Sequence, residues 1–111
     1  MPRKLLDKHT VPTLVQERLH TWGRCIHTQR LSQRLTALAL SERAGLSEAT
    51  LRRLERGDAG AAASAYLAAL SVLGVLDTAV PPLAVELWSE PSGKRVRLAA
   101  HEKRASENEY F

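Results

Sequence analysis

The 111-residue sequence has only one cysteine, Cys25, and few aromatic residues. A single cysteine excludes an internal disulfide framework and a zinc site built from several cysteines. Because aromatic residues make up only 5% of the chain, aliphatic side chains must form the core. No apolar run approaches the roughly 20 residues that span a bilayer, and no signal-peptide pattern opens the sequence. These absences predict a soluble, cytoplasmic protein.

The motifs of catalytic and metal sites are also missing. The sequence has no GxSxG, no phosphate-cradling glycine loop and no carboxylate pair at catalytic spacing. His20 and His27 are seven residues apart on one predicted helix, with Cys25 between them at a different angular position, so three zinc ligands do not converge. We therefore expect no enzyme activity, no cofactor and no metal.

Positive charge is absent from the middle of the chain and abundant on both sides of it. Eight arginines stand against five acidic residues in 13–58, and residues 59–88 contain no Lys or Arg. Residues 89–104 then hold five Lys or Arg and two Glu. This distribution favours contact with a polyanion, although charge that serves solubility alone is the simpler alternative.

The first half of the chain has apolar residues at helical spacing. A first helix is predicted over Thr13 to about Gln33, opened by a capping box between Thr13 and Gln16. Thr36 caps a second helix, whose inner side is predicted to carry Leu38, Ala39, Leu40 and Ala44. Gly45 ends this helix in the left-handed conformation that glycine adopts without penalty.

Three further helices are expected in the second half. Ser47 caps a third helix, which Gly57 ends, and Ser64 caps a fourth. A fifth, shorter helix is predicted to begin at the Pro81–Pro82 pair, because proline is tolerated in the first turn.

The sequence thus predicts three segments. These are a mobile arm at residues 1–12, an all-α domain of five helices at 13–90, and a basic C-terminal tail at 91–111. Exposed Val85 and Trp88 are candidates for a homodimer contact. The tail is a strand, a helix or disordered, and the sequence leaves open whether it binds a partner.

The strongest functional signal is the stretch AGLSEATLRRLERG, residues 44–57. A short turn containing glycine between two helices forces a large crossing angle, which is typical of a helix-turn-helix. With its leucines turned inward, the third helix presents its other side to the major groove of DNA. The candidate DNA-contacting residues are Thr36, Ser47, Glu48, Ala49, Thr50, Arg52, Arg53 and Arg56.

Several of these side chains suit particular groups on DNA. Arg53 matches a guanine edge, Glu48 accepts from a cytosine amino group, and Ala49 contacts a thymine methyl. Ser47 and the first amides of the third helix lie where a phosphate is held. The alternative is a solvated, arginine-rich face on an ordinary helical bundle.

The surrounding sequence resembles the Xre/Cro-type helix-turn-helix family, to which lambda-repressor-like domains belong. The family pattern LGxRIRxxR, followed by LTQxxLAxxAGVSxxTLSRIExG, is similar to WGRCIHTQR from Trp22 and LTALALSERAGLSEATLRRLERG from Leu35. The resemblance implies a five-helix domain that binds a palindromic operator as a two-fold dimer and represses transcription.

The resemblance also implies an architectural ion pair. Arg30 and Glu55 match an arginine and a glutamate that bridge the first and third helices in this family. Two positions depart from the pattern: Ala37 replaces a glutamine that contacts phosphate, and Glu48 stands where a basic or amide residue is common. Both departures bear on the affinity for DNA.

A second, weaker resemblance is to HipB-like antitoxins, which are encoded with HipA-type kinase toxins. It rests on the chain length, the apolar run ALSVLGVLD, the short fifth helix and a tail ending in NEYF. It implies a type II toxin-antitoxin pair in which this chain autoregulates its operon and holds the toxin. A stand-alone or phage-type repressor and a helical adaptor that binds only protein are the alternatives.

Overall fold

The structure is a computed structural model that describes residues 10–91. All regular elements in this range are helical, which confirms the predicted all-α class. They are α1 (Thr13–Ser32), α2 (Ala37–Ala44), α3 (Glu48–Glu55), α4 (Ala63–Val72), α5 (Leu76–Ala79) and a 3₁₀ turn (Val85–Leu87). The chain divides into two compact units between Pro81 and Pro82.

The core of the first unit lies among α1, α2, α3 and α4. Aliphatic side chains dominate it, as the low aromatic content requires. Its buried members are Ile26, Leu40, Leu51, Leu54, Ala65, Tyr66, Ala69, Leu70 and Leu73. Each fully buried leucine or isoleucine contributes roughly 1.5–3 kcal/mol, so this cluster supplies the main favourable term in folding.

The caps predicted for α2 and α3 are present. The Thr36 hydroxyl accepts a hydrogen bond from the Ala39 amide at 3.0 Å, and the Ser47 hydroxyl accepts one from the Thr50 amide at 3.0 Å. Gly45 ends α2 with φ of +74°, in the left-handed region. These local signals therefore fix both ends of α2 and the start of α3.

The inner side of α2 agrees with the prediction at Leu40 and differs from it at Leu38. Leu38 is 52% exposed, whereas Leu40 and Ser41 are buried. Side chains three and four residues apart share one face of a helix, and the face of α2 that includes Leu40 and Ala44 is the one that packs. The buried Ser41 hydroxyl is satisfied because it donates to the Leu38 carbonyl at 2.8 Å.

The capping box predicted at the start of α1 is wrong. Pro12 stands at the N-cap and has no side-chain acceptor, so Thr13 already lies inside the helix. The Gln16 side chain instead donates to the Val11 carbonyl at 3.0 Å. Val11 is buried, so the arm predicted for residues 1–12 does not extend to it, and residues 1–9 lie outside the described range.

The predicted start of α4 is also wrong. Ala62 stands at the N-cap and has no side-chain acceptor, so Ser64 lies in the first turn of the helix. Burial of Ala65, Tyr66 and Ala69 on one side of α4 stabilises this end in place of a cap. Packing thus decides where α4 begins.

The fifth helix precedes the Pro81–Pro82 pair rather than following it. α5 is only four residues long, and only the 3₁₀ turn Val85–Leu87 forms after the prolines. Short helices need tertiary packing for stability. Residues 82–91 are all exposed, so a helix there would lack the packing that buries its apolar side chains.

α1 packs directly against the C-terminal end of α3. A Cβ atom at Gly23 would lie 2.9 Å from the Glu55 carbonyl oxygen and closer still to that of Leu54. Only glycine permits this approach, since the neighbouring atoms are backbone. The close contact brings the second half of α1 alongside the last turn of α3, where the charged cluster described below forms.

Candidate nucleic-acid interface

α2, the turn Gly45–Ser47 and α3 form the frame of the candidate interface. The Leu46 amide donates to the Ser41 carbonyl at 2.8 Å and holds the turn against the end of α2. Leu51 and Leu54 are fully buried on the inner side of α3. The opposite side of α3 therefore faces solvent along its whole length.

The eight candidate DNA-contacting residues all have accessible surface. Thr36 caps α2, and the other seven lie on α3 or at its caps. The exposed members are Thr36, Ser47, Ala49, Arg52 and Arg56, and the partly exposed ones are Glu48, Thr50 and Arg53. The structure thus brings seven of them together on one short helix.

The N-terminus of α3 is held by Ser47. Its hydroxyl accepts from the Thr50 amide and donates to the Thr50 hydroxyl oxygen at 2.9 Å. The Ser47 side chain is therefore occupied by capping, and a phosphate at this end would be met by the first backbone amides of α3.

Two of the three arginines on the α3 surface form ion pairs with carboxylates. Arg52 donates to Glu48 Oε2 at 3.0 Å, one helical turn away, and Arg53 donates through Nε to Asp58 Oδ2 at 2.9 Å. Arg56, at the end of the helix, is exposed. Both pairs are partly exposed, so they orient the guanidinium groups and contribute little to stability.

Asp58 anchors the loop that follows α3. Hydrogen bonds from Arg53 and from the Gly60 amide, at 2.7 Å, lower the pKa of the Asp58 carboxyl. The Asp58 carbonyl accepts from the Tyr66 hydroxyl at 2.7 Å, and burial raises the Tyr66 pKa to about 12. The Tyr66 ring also lies 5.7 Å from that of Trp22, so one side chain joins this loop to α1 and α4.

Arg30, Glu55 and His27 form a cluster between α1 and α3, which we call the α1–α3 clamp. Arg30 Nε lies 2.7 Å from Glu55 Oε2, and Arg30 Nη2 lies 3.2 Å from Glu55 Oε1. His27 Nδ1 is 2.9 Å from Glu55 Oε1. Arg30 also donates to the Leu35 carbonyl at 3.1 Å, which ties the start of α2 to the same cluster.

Opposite charge keeps Arg30 and Glu55 ionised despite their partial burial. The side chains of Arg30 and Glu55 are only 12% and 13% exposed. Burial by itself would raise the pKa of Glu55, but the hydrogen bonds from Arg30 and His27 outweigh it and lower that pKa. The hydrogen bond to Glu55 raises the pKa of Arg30 in turn.

Sequence reasoning missed His27 and Asp58. It considered His27 as a candidate zinc ligand, whereas the histidine completes the clamp. His27 lies three residues before Arg30, on the same face of α1, so helical spacing was an available signal. Asp58 follows the end of α3, and no periodic rule relates it to Arg53.

The structure also bears on metals and membranes. In residues 10–91, no three His, Cys, Asp or Glu side chains come close enough together to hold a metal ion. No helix of this range is long and apolar enough to cross a membrane.

A family model described as a helix-turn-helix domain matches residues 22–83, more than half of the chain. The chain belongs to the helix-turn-helix domain family. Searches of the curated proteins and of the solved structures gave no significant match. The helix-turn-helix match begins at Trp22, so residues 13–21 of α1 precede it.

A helix-turn-helix places its second helix in the major groove of DNA. In this chain that helix is α3, and the two helices flanking the turn are α2 and α3. Membership of the family therefore supports a DNA-binding regulator.

Proposed function

We propose that the protein is a transcriptional repressor that binds double-stranded DNA sequence-specifically. The observation that carries this proposal is the solvent-facing side of α3, which presents Arg52, Arg53 and Arg56 within a helix-turn-helix domain. The clamp and the buried leucines fix α3 against the core, so this side is held ready for a groove. A rigid, basic helix of this kind suits the major groove, which admits one α-helix.

The proposal gives each part of α3 a role. Arg53 reads a guanine edge through its guanidinium, while Ala49 contacts a thymine methyl and Glu48 a cytosine amino group. Arg52, Arg56 and the amides at the start of α3 bind phosphates. Thr36, Ser47 and Thr50 lie beside them, and Ser47, whose hydroxyl caps α3, acts by holding the first amides of that helix toward the phosphate.

The proposed functional form is a homodimer on a palindromic operator in the cytoplasm. Two copies related by a two-fold axis place their recognition helices about 34–36 Å apart, one turn of DNA. Each copy then reads one half-site, so the operator repeats the same sequence in inverted orientation.

Replacing Arg53 by alanine is expected to weaken operator binding about 5- to 150-fold, because a bidentate arginine–guanine contact is worth roughly 1–3 kcal/mol. The measurement is binding of the full chain to a labelled fragment of DNA upstream of its own gene, at two salt concentrations. Arg24→Ala is the matched control, since it removes the same charge from an exposed position on α1. Random DNA of equal length measures non-specific binding.

Salt separates DNA binding from the adaptor alternative. For the parent, log affinity should fall with log salt by a slope of about −0.9 for each phosphate neutralised. Specific repression would be contradicted if the parent bound the upstream fragment and random DNA with equal affinity. It would also be contradicted if Arg53→Ala and Arg24→Ala lost equal affinity for the upstream fragment. Such a result would favour an adaptor that binds only protein.

The antitoxin form of this function, with a HipA-type kinase toxin as partner, stays a prediction. The tail residues 92–111 lie outside the described range, and the short fifth helix, on which that resemblance partly rests, precedes the Pro81–Pro82 pair. Co-purification with the product of the neighbouring gene tests it. A neighbouring product that is not a kinase, or that does not bind, would leave a stand-alone or phage-type repressor.

A further inference from the structure

The first turns of α1 carry an apolar groove of about 290 Å³. We call this the α1 groove. Its lining consists of Leu14, Val15, Arg18, Leu19 and Trp22. Leu19 and Trp22 pack against the core and form a fixed floor, whereas Leu14 and Val15 are exposed at the rim. Nearly all of this groove lies before the residues that the helix-turn-helix model matches.

The second unit presents a complementary feature, the segment Leu83–Trp88, which we call the apolar turn. Four large apolar side chains are exposed within its six residues: Leu83, Val85, Leu87 and Trp88. The backbone is already ordered, because the Leu87 amide donates to the Ala84 carbonyl at 2.9 Å and the Trp88 amide to Val85 at 3.1 Å. A preformed turn loses little conformational entropy when it binds. A cluster of large exposed apolar side chains in so short a segment is typical of an interaction site.

We propose that the apolar turn of one copy docks into the α1 groove of a second copy. Charge favours this occupant: Arg18 lines the groove, and Glu86 is exposed in the middle of the turn. Residues 59–93 contain no Lys or Arg, so the turn brings only negative charge to the groove. Pairing two α1 grooves in antiparallel fashion would instead set Arg18 against its own symmetry mate.

The proposed exchange is reciprocal. Each copy has one groove and one turn, and in a closed two-fold pair each turn occupies the groove of the other copy. This contact rests on the proposed function, because it takes the partner to be a second copy of the chain. It deepens that function by assigning the surface through which the dimer forms. It buries both tryptophan side chains, Trp22 and Trp88, in the same interface.

The apolar part is tested with Trp88→Ala in the full chain. Trp88 is 64% exposed, so the fold is expected to remain intact, and the dimer dissociation constant is expected to rise at least about tenfold, as for a central aromatic anchor. The measurement is analytical ultracentrifugation over a dilution series without DNA. Leu31→Ala is the control, because Leu31 is 54% exposed at the other end of α1. The proposed contact is overturned if the parent is monomeric at every concentration. It is also overturned if Trp88→Ala and Leu31→Ala change the dimer dissociation constant equally.

Charge reversal tests the pairing itself. Arg18→Glu and Glu86→Arg each place like charges at both contacts, so each variant alone should weaken the dimer roughly tenfold. Mixed together, the two variants form a heterodimer in which both contacts are attractive again, and the dimer should return. The double variant should also dimerise like the parent.

The other arrangements give different results. If the turn occupied the groove of its own chain, mixing the single variants would restore nothing. If two α1 grooves paired, Glu86→Arg would have no effect. Either result overturns the proposal.

Operator binding is measured separately from these tests. A chain that dimerises as described but ignores its operator overturns the proposed repressor and leaves the contact in place. A chain that binds its operator but is unaffected by Arg18→Glu and Glu86→Arg overturns the contact and leaves the repressor.

Discussion

Replacing Gly57 by alanine is expected to lower the free energy of unfolding by roughly 2–5 kcal/mol. Gly57 has φ of +75°, which costs an L-residue about 1–2 kcal/mol. A Cβ there would also lie 2.8 Å from His20 Cα and 3.0 Å from His20 N. Because those atoms are backbone, no rotamer change relieves the clash, and overpacking of this kind costs about 1–3 kcal/mol.

Gly45→Ala is the matched control for this prediction. Gly45 has nearly the same φ, +74°, but a Cβ there has no atom within 4 Å. Its replacement should cost only the backbone term of about 1–2 kcal/mol. Urea unfolding of the parent and both variants measures how much more unfolding free energy Gly57→Ala loses than Gly45→Ala. This excess is the contribution of the close approach of α1 to the end of α3. Equal losses in the two variants would show that this approach is not tight.

Glu55→Ala is expected to lower the free energy of unfolding by roughly 2–4 kcal/mol, because it leaves the poorly exposed Arg30 guanidinium without its carboxylate. The effect on sequence preference should be smaller, since Glu55 does not lie on the DNA-facing side. Glu48→Ala, on the same helix, removes an exposed pair with Arg52 and should cost less than about 1 kcal/mol. Equal thermal stability of Glu55→Ala and the parent would contradict an architectural role.

The clamp also gives stability a pH dependence of known sign. The pKa of Glu55 is lower in the folded protein than its ordinary value of 4.5. The stabilisation is therefore fully present above pH 4.5 and is lost as pH falls through the folded pKa. Denaturant unfolding of the parent and Glu55→Gln across this acidic range measures it. The difference in the free energy of unfolding between the parent and Glu55→Gln should become smaller as pH falls. A difference that does not change with pH would contradict the role of the ionised carboxylate.

Features set by a few neighbouring residues were predictable from the sequence. A cap at Thr36 or Ser47 needs only a hydroxyl at that position. The left-handed conformation of Gly45 needs only a missing Cβ. The start of α1 was not predictable in this way, because the chain enters it through Pro12 and Gln16 turns back to Val11. The start of α4 depends on burial, which the sequence does not display.

At the candidate interface, too, features set by local sequence were predictable and features set by tertiary contacts were not. The exposed side of α3 followed from the positions of Leu51 and Leu54 alone. The Arg30–Glu55 contact spans 25 residues and was expected only through a family resemblance. The Arg53–Asp58 pair depends on how the chain turns after α3, which the sequence does not display. Residues 82–91 are exposed because no face of that segment is packed, and this too depends on tertiary structure.

The ion pairs on α3 have a kinetic consequence for DNA binding. Arg52 and Arg53 each face a carboxylate, so from beyond a Debye length of roughly 8–10 Å they act as dipoles rather than as free charges. Long-range steering toward DNA then depends on the unpaired positive charge of the chain, and the approach differs little between one sequence and another. In the proposed complex with DNA, phosphate or guanine replaces the carboxylates of these two pairs after contact. The proposal therefore places discrimination between sequences in the dissociation rate.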